Sequence, residues 1–521
     1  LQTPNFDTFL QRFTALQDTE KLAAHNEARA STPALKWVPN PGPQADAYLC
    51  EADELFYGGQ AGGGKSDLLL GAAINEHDRS LVLRRVHKDV GSLIERTAEI
   101  LGSRQGYNGQ EHVWRLPGKL IEFGGCPHES DKERYKGRPH SLKGFDEVSD
   151  FTESQYTFII GWNRSATVGQ RCRVIATGNP PTRPEGLWVL KRWGPWLDPK
   201  HPRPAKPGEL RWYTTTDLGD EIEVDGRGPH TIDGKEIFAR SRTFIPAKVT
   251  DNPDLVASGY QSMLDTLPAE LRSAYRDGNF QAELKDDDFQ LIPTRWIRAA
   301  MERWTPEGFR ALAMTAMACD PAGGGADAAE IAWRHGVWYA PLVTVRGPET
   351  ADGSAMAGRI IAHRRDSCPV IIDSGGGYGG AITQRLKDNS IDATAFNGAN
   401  TSTARTMDKA QLAFFNKRAE AYWRFREALN PDQEGGSAVA LPPDDELKAD
   451  LAAVHWSLER NGIKIEPKAD IKERIGRSPG KGDAVVMCLS EGNAAVRRNY
   501  GAMSGTPKVK VGYANVKSRR R

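Results

Sequence analysis

The sequence predicts an α/β protein of two domains, the first built on a mostly parallel sheet and the second on a mixed one. Three observations predict it. Residues 58–66 form a glycine-rich loop between a strand-like apolar run at 54–57 and a helix-like run at 67–73. Strand-like segments at 81–83, 120–123, 142–145 and 174–176 alternate with helix-like ones such as 88–101, the pattern of a parallel sheet with helices on its faces. After residue 290 a second series of apolar segments begins, two of which end in aspartate. The length of 521 residues agrees, because it exceeds what one core organises.

The first 32 residues carry Phe6, Phe9, Leu10, Phe13 and Leu16 at helical spacing and end in Ala-Ser-Thr-Pro, which predicts an appended helical arm. The first domain then covers 33–290. Within it, residues 194–245 hold Pro195, Pro199, Pro202, Pro204, Pro207, Gly226, Gly228 and Gly234, and are expected to form an irregular or β-hairpin insertion. The second domain covers 291–495. From 496 to 521 the chain turns basic, with Arg497, Arg498, Lys508, Lys510 and a run of arginines at the end, and a disordered tail is expected.

Composition narrows the class. Lys and Arg total 69 against 68 Asp and Glu, a net charge of +1, which neither announces nor excludes a nucleic-acid partner. Cys50, Cys126, Cys172, Cys319, Cys368 and Cys488 show no metal-ligand spacing and no disulfide framework, which fits a reducing cytosol. No apolar stretch approaches the ~18 residues of a membrane span and no signal pattern opens the chain, so a soluble intracellular protein without membrane contact is expected.

The loop at 58–66 reads Gly-Gly-Gln-Ala-Gly-Gly-Gly-Lys-Ser. Glycines at such a strand-to-helix turn let backbone N–H groups face a polyphosphate, a lysine reaches the outer phosphates and a serine hydroxyl holds Mg²⁺. ATP is therefore expected on Gly59, Gln60, Ala61, Gly62, Gly63, Gly64, Lys65 and Ser66, with Mg²⁺ on Ser66 and Asp146. Hydrolysis needs a carboxylate on the metal side and another to activate water. Asp146 and Glu147, which follow the segment 142–145, suit these two roles in that order. Thr177 and Asn179, at the end of the segment 174–176, can sense the γ-phosphate, and Gln44 in a proline-rich loop can meet the adenine edge. Arg84, Arg85, Arg134, Arg138, Arg164 and Arg171 are the candidates for a cationic finger, and Arg138, just ahead of the catalytic strand, is the preferred one.

In the second domain Asp320 ends an apolar segment and precedes Pro-Ala-Gly-Gly-Gly, Asp373 ends another and precedes Ser-Gly-Gly-Gly, and Asp483 opens an apolar run after Gly480-Lys481-Gly482. Three carboxylates with glycines beside them suit two Mg²⁺ or Mn²⁺ ions and cleavage of a phosphodiester. Asp327 is a candidate auxiliary ligand, and Lys468, Lys472, Arg474 and Arg477 are candidate phosphate contacts.

In this order the motifs resemble the large terminase subunit of tailed bacteriophages. The likeness spans nearly the whole chain: residues 58–66, Asp146-Glu147 and Thr177-Gly178-Asn179 match its ATPase elements, and Asp320, Asp373 and Asp483 its nuclease elements. The stretch from Ile465-Glu466-Pro467-Lys468 through Arg474-Ile475-Gly476-Arg477-Ser478-Pro479 to Asp483-Ala484 is similar to the last nuclease motif, as are Asn416-Lys417-Arg418-Ala419-Glu420 and Leu441-Pro442. Gln60 and Ala61 stand where some relatives carry an arginine, and Gly480-Lys481-Gly482 replaces an acidic-apolar lead.

The resemblance implies a P-loop ATPase domain of the additional-strand type joined to a ribonuclease H-like nuclease. It implies a DNA-packaging motor that moves double-stranded DNA into a procapsid and cuts concatemeric genomes. The implied partners are a small terminase subunit, a portal protein and further copies of the chain in a ring, a pentamer on the procapsid and a monomer in solution, in the cytoplasm of a bacterial host. The alternatives are a helicase–nuclease of repair or defence, and a motor whose second domain only binds DNA or portal.

Overall fold

The computed structural model describes residues 35–501 apart from 218, 268, 282–285, 326, 408–410 and 434, so the arm expected at 1–32 lies outside the described residues. The chain divides into two compact units between Lys285 and Asp286, a few residues before the boundary expected at 290.

The first unit is organised by a ten-stranded sheet of order β3-β4-β5-β2-β6-β7-β1-β12-β8-β9. Its parallel centre comprises β5 (Lys119–Gly125), β2 (Arg79–Arg84), β6 (Leu142–Phe145), β7 (Arg173–Gly178), β1 (Glu54–Gly59) and β12 (Arg240–Ala247). Antiparallel strands close both edges, β3 (Tyr107–Asn108) and β4 (Val113–Leu116) on one side, β8 (Arg211–Thr215) and β9 (Glu221–Val224) on the other. A separate hairpin joins β10 (His230–Ile232) to β11 (Lys235–Ile237). An extra strand, β7, stands between the loop-bearing β1 and the acidic β6, the additional-strand arrangement.

This sheet corrects one expectation. The stretch 194–245, expected to be an irregular or β-hairpin insertion, does hold the antiparallel pairs β8–β9 and β10–β11, but it also supplies most of β12, which lies directly beside β1 in the main sheet. The prolines fall before β8, one of them in the short helix Gly194–Leu197, and Gly226, Gly228 and Gly234 in the turns between β9, β10 and β11.

Helices α1 (Pro43–Leu49), α2 (Lys65–Asn75), α3 (Val90–Leu101) and α4 (Glu153–Ile160) belong to this unit. The core packs Leu68, Leu69 and Leu70 of α2 with Leu55, Val82, Ile175 and Ile245 of the sheet and with Trp37. The polar look of 142–145 has a packing cause: a Cβ at Gly144 would lie 2.3 Å from Leu69 Cδ1, so the glycine admits the helix. Lys143, fully buried, donates to His140 Nδ1 at 2.8 Å, and burial lowers its ammonium to about 7.

The second unit holds a mixed six-stranded sheet, β15-β14-β13-β17-β18 with β16 paired to β14. The strands are β13 (Ala316–Asp320), β14 (Ala329–His335), β15 (Trp338–Tyr339), β16 (Val343–Val345), β17 (Val370–Asp373) and β18 (Ala393–Phe396). Strand β13 runs antiparallel to β14 and parallel to β17, which is parallel to β18. Alternation along β13 splits its side chains between two cores, as the two-residue period of a strand requires. Ala316 and Ala318 join α7 (Lys417–Leu429), α8 (Asp445–Ala452) and α10 (Gly480–Gly501). Met317 and Cys319 join Met356 and Ile360 of α5 (Gly353–His363) and Ile382 and Leu386 of α6 (Gly379–Asp388).

A two-stranded ladder, β19 (Trp456–Glu459) with β20 (Gly462–Ile465), precedes α9 (Lys468–Ile475). Helix α10 continues to Gly501, past residue 496 where the tail is expected to begin; 502–521 lie outside the described residues. Among the described residues no helix is long and apolar enough to cross a membrane.

Candidate phosphate-binding and carboxylate sites

In the first unit the loop after β1 is anchored through its carbonyls. Tyr57 Oη donates to Gly63 O at 3.0 Å, Asn252 Nδ2 to Gly62 O at 2.9 Å and Gln44 Nε2 to Gly64 O at 2.8 Å. Carbonyls tied outward turn the alternate face of the peptides, the N–H groups, toward the concave side of the loop, where an anion sits. Glycine is required at the tightest points: Gly59 has φ 140°, and a Cβ there would stand 2.6 Å from Ala247 O. Gly64, in the left-handed region, starts α2, whose positive end faces the same space.

Lys65, nearly buried, donates to Gln60 O and to Asn179 Oδ1 at 2.9 Å, and desolvation lowers its ammonium against the pull of Glu147 and Asp146. Asp146 follows β6 and gathers three donors: Ser66 Oγ at 2.9 Å, Thr177 Oγ1 at 2.7 Å and Arg84 Nε at 2.8 Å. Glu147 has a left-handed backbone, φ 55°, and burial together with the Asp146 charge pushes its carboxyl up to about 7. Asn179 Nδ2 donates to Glu147 Oε2 at 3.4 Å, so one amide touches both the lysine and the acid. Ser66, Asp146, Thr177, Lys65, Glu147 and Asn179 therefore meet where β6 and β7 end beside the loop.

One expectation is corrected, and one residue has a structural role besides the expected one. Gln44 is 2% exposed, and besides holding Gly64 it accepts from Asn40 N, so both ends of its amide brace the backbone around the loop. Arg138 precedes β6, at the opposite end of that strand from Asp146, and pairs with Glu122 at 3.1 Å. Of the arginines weighed, Arg84 is the one held on Asp146, with a closest approach of 2.6 Å, because β2 ends beside β6. Gln60 and Ala61 also turn toward protein: Gln60 Oε1 accepts from Val249 N and Ala61 N donates to Tyr275 O.

In the second unit β13 and β17 are parallel neighbours with Cys319 opposite Ile372, so Asp320 and Asp373 leave adjacent strand ends. Asp483 arrives from the first turn of α10. Lys468 of α9 joins two of the three, 2.8 Å from Asp320 Oδ2 and 2.9 Å from Asp483 Oδ2. Gly480 lets α10 come this near, since a Cβ there would stand 3.1 Å from Asp320 Oδ2. Asp483 Oδ1 also accepts from Tyr422 Oη at 2.6 Å and faces Arg418 at 3.5 Å. Burial raises the Asp320 carboxyl above its ordinary range despite Lys468; at Asp483 burial is outweighed by Lys468 and Arg418, which hold that carboxyl low. Burial raises Asp373 too, although Gly375 N donates to its Oδ1 at 2.8 Å.

Among the described residues no group of three or more His, Cys, Asp or Glu side chains closes tightly enough to hold a metal ion. The donor chemistry nevertheless fits a hard divalent cation: three carboxylates, two of them raised by burial, and an ammonium already drawn between two of them. Asp327 and Lys472 pair with each other at 2.6 Å, one turn along α9 from Lys468. Sequence reasoning missed Glu330. It stands opposite Asp320 across the β13–β14 ladder, is 4% exposed, accepts from Thr344 Oγ1 at 2.8 Å and is pushed up to about 8 by burial. Its only signal was an acid in an otherwise apolar strand.

No family model matches the chain, and no curated protein does. Among solved structures it is similar to the nuclease domain of the large terminase subunit gp2 of bacterial virus Sf6, at 22% identity over 38% of this chain and 97% of that one, TM-score 0.32. It is also similar to the large terminase of a thermophilic bacteriophage, at 14% identity over 87% of this chain and 99% of that one, TM-score 0.30. The HK97 bacteriophage large terminase is similar at 9% identity over 84% of this chain and 90% of that one, TM-score 0.30.

Proposed function

We propose that this chain is a viral DNA-packaging enzyme of the large-terminase kind, an ATP-driven motor on double-stranded DNA that also cuts the genome. The observation that carries this reading is the pairing, in one polypeptide, of a glycine-rich phosphate loop facing Asp146 and Glu147 with strand-end aspartates gathered round Lys468.

In the motor unit the loop N–H groups and Lys65 would bind the triphosphate, and Ser66 and Asp146 would hold Mg²⁺. Glu147, with its carboxyl near neutrality, takes the proton of the attacking water. Asn179 spans Lys65 and Glu147 from the end of β7, in the middle of the sheet, so it would couple the state of a bound phosphate to that strand. Arg84 holds Asp146 in its orientation.

In the second unit Asp320, Asp373 and Asp483 are the groups that would hold Mg²⁺ or Mn²⁺, which supplies an activated water and neutralises charge on the phosphodiester. Tyr422 and Arg418 orient Asp483, and Lys468 balances the carboxylates. The partners of this reading are double-stranded DNA, a small terminase subunit, a portal protein and other copies of the chain in a ring, in the cytoplasm of a bacterial host.

The test is displacement of a triplex-forming oligonucleotide from linear duplex DNA. The packaging reading expects ATP-dependent displacement without separation of the duplex strands. Unwinding of a forked duplex at a comparable rate would instead establish the helicase–nuclease reading.

A further inference from the structure

We infer that Tyr378 is a substrate-positioning residue of the second unit, its ring packing against a deoxyribose next to the phosphodiester that is cut; this rests on the nuclease reading above. Tyr378 immediately precedes α6, five residues after Asp373, and its side chain is 56% exposed. The ring is nonetheless seated. An ideal Cβ at Gly323 would lie 2.1 Å from its Cε1 and 2.2 Å from its Cζ, so the ring rests on the bare backbone of the loop that follows Asp320. Gly376, in the loop that follows Asp373, has its own ideal Cβ 3.4 Å from the ring's Cδ2. Any side chain at Gly323 would evict the ring. The two glycine loops that leave the carboxylate-bearing strands thus fix one tyrosine between them.

A large aromatic side chain that is fixed at its base yet more than half exposed offers a rigid apolar face at little entropic cost. The groups that flank a phosphodiester in duplex DNA are sugars, because the bases are stacked inside the helix. The C–H face of a deoxyribose fits such a ring, whereas the carboxylates alone repel the phosphate they must approach. Tyr378 supplies uniform binding of the strand, and its loss falls on KM rather than on the chemical step.

The experiment uses the full chain with supercoiled plasmid and Mn²⁺, measuring kcat and KM for nicking, and separately duplex affinity by fluorescence anisotropy in Ca²⁺. Tyr378→Ala is expected to raise KM and Kd about tenfold with kcat within about twofold. Tyr378→Phe is expected to match the parent, and Gly323→Ala to behave like Tyr378→Ala. Unchanged KM and Kd in Tyr378→Ala, or a loss confined to kcat, would overturn the inference. A parent chain that nicks nothing, yet loses duplex affinity on Tyr378→Ala, would sink the cutting reading while leaving this contact standing.

Discussion

At the residue scale, both sites depend on carboxyls whose charge the fold makes costly. Glu330 is the clearest case, because burial raises it from an ordinary 4.5 to about 8 and the group that donates to it is a neutral hydroxyl. A raised acid binds its proton more tightly folded than unfolded. Its stabilising contribution is complete below pH 4.5 and is lost as the pH rises through 8. Glu330→Gln should therefore leave the melting temperature unchanged at pH 5 and raise it at pH 9 by up to about 4 °C, the shift that ~1 kcal/mol produces in a domain of this size. Differential scanning calorimetry at the two pH values decides it, and equal melting at both would place the carboxylate in a solvated setting. Lys468 supplies the complementary prediction. With its ammonium between Asp320 and Asp483, Lys468→Ala should melt earlier than the parent without divalent ions and gain more from Mn²⁺. The aspartates were legible in the sequence because each borders an apolar run. Glu330 and Tyr422 were not, because what brings them to the site is a strand pairing and a helix docking that local composition does not encode.

At the element scale, the phosphate loop was readable from nine consecutive residues, since its chemistry is local. Its supports come from far along the chain: Gln44 from α1, Val249 and Asn252 just beyond β12, and Tyr275 beyond those. Hairpins in 194–245 are legible from its composition, whereas the place of β12 in the main sheet is not, for the same reason. β12 pairs with β1 across more than 180 positions, and a parallel partner at that distance leaves no mark in a window of ten residues. The finding at Gln44 gives a prediction that separates its two roles. Gln44→Ala removes the amide that ties Gly64 O and leaves Asn40 N without its partner, so the nucleotide-free chain should lose about 1–3 kcal/mol, measured by urea denaturation. Unchanged stability with a higher KM for ATP would place Gln44 at the base edge. Arg138 was favoured for its place just ahead of β6, whereas the sheet sets that place at the far end of the strand.

At the scale of the whole molecule, two units divide at 285/286, and each has its own sheet and its own cluster of charged residues. Length and the second series of aspartate-ended segments made the division legible. On the proposed reading the two units carry separate phosphate chemistries, which should fail separately. The most direct measurement compares ATP turnover and Mn²⁺-dependent plasmid nicking in Lys65→Ala and Asp373→Ala chains whose circular dichroism matches the parent. Lys65→Ala is predicted to lose ATP turnover at least a hundredfold, about the ~3 kcal/mol that removal of one preorganised charge from such a site costs, and to nick at the parental rate. Asp373→Ala is predicted to do the reverse. Loss of both activities in either folded variant, or nicking that survives in Asp373→Ala, would contradict the account.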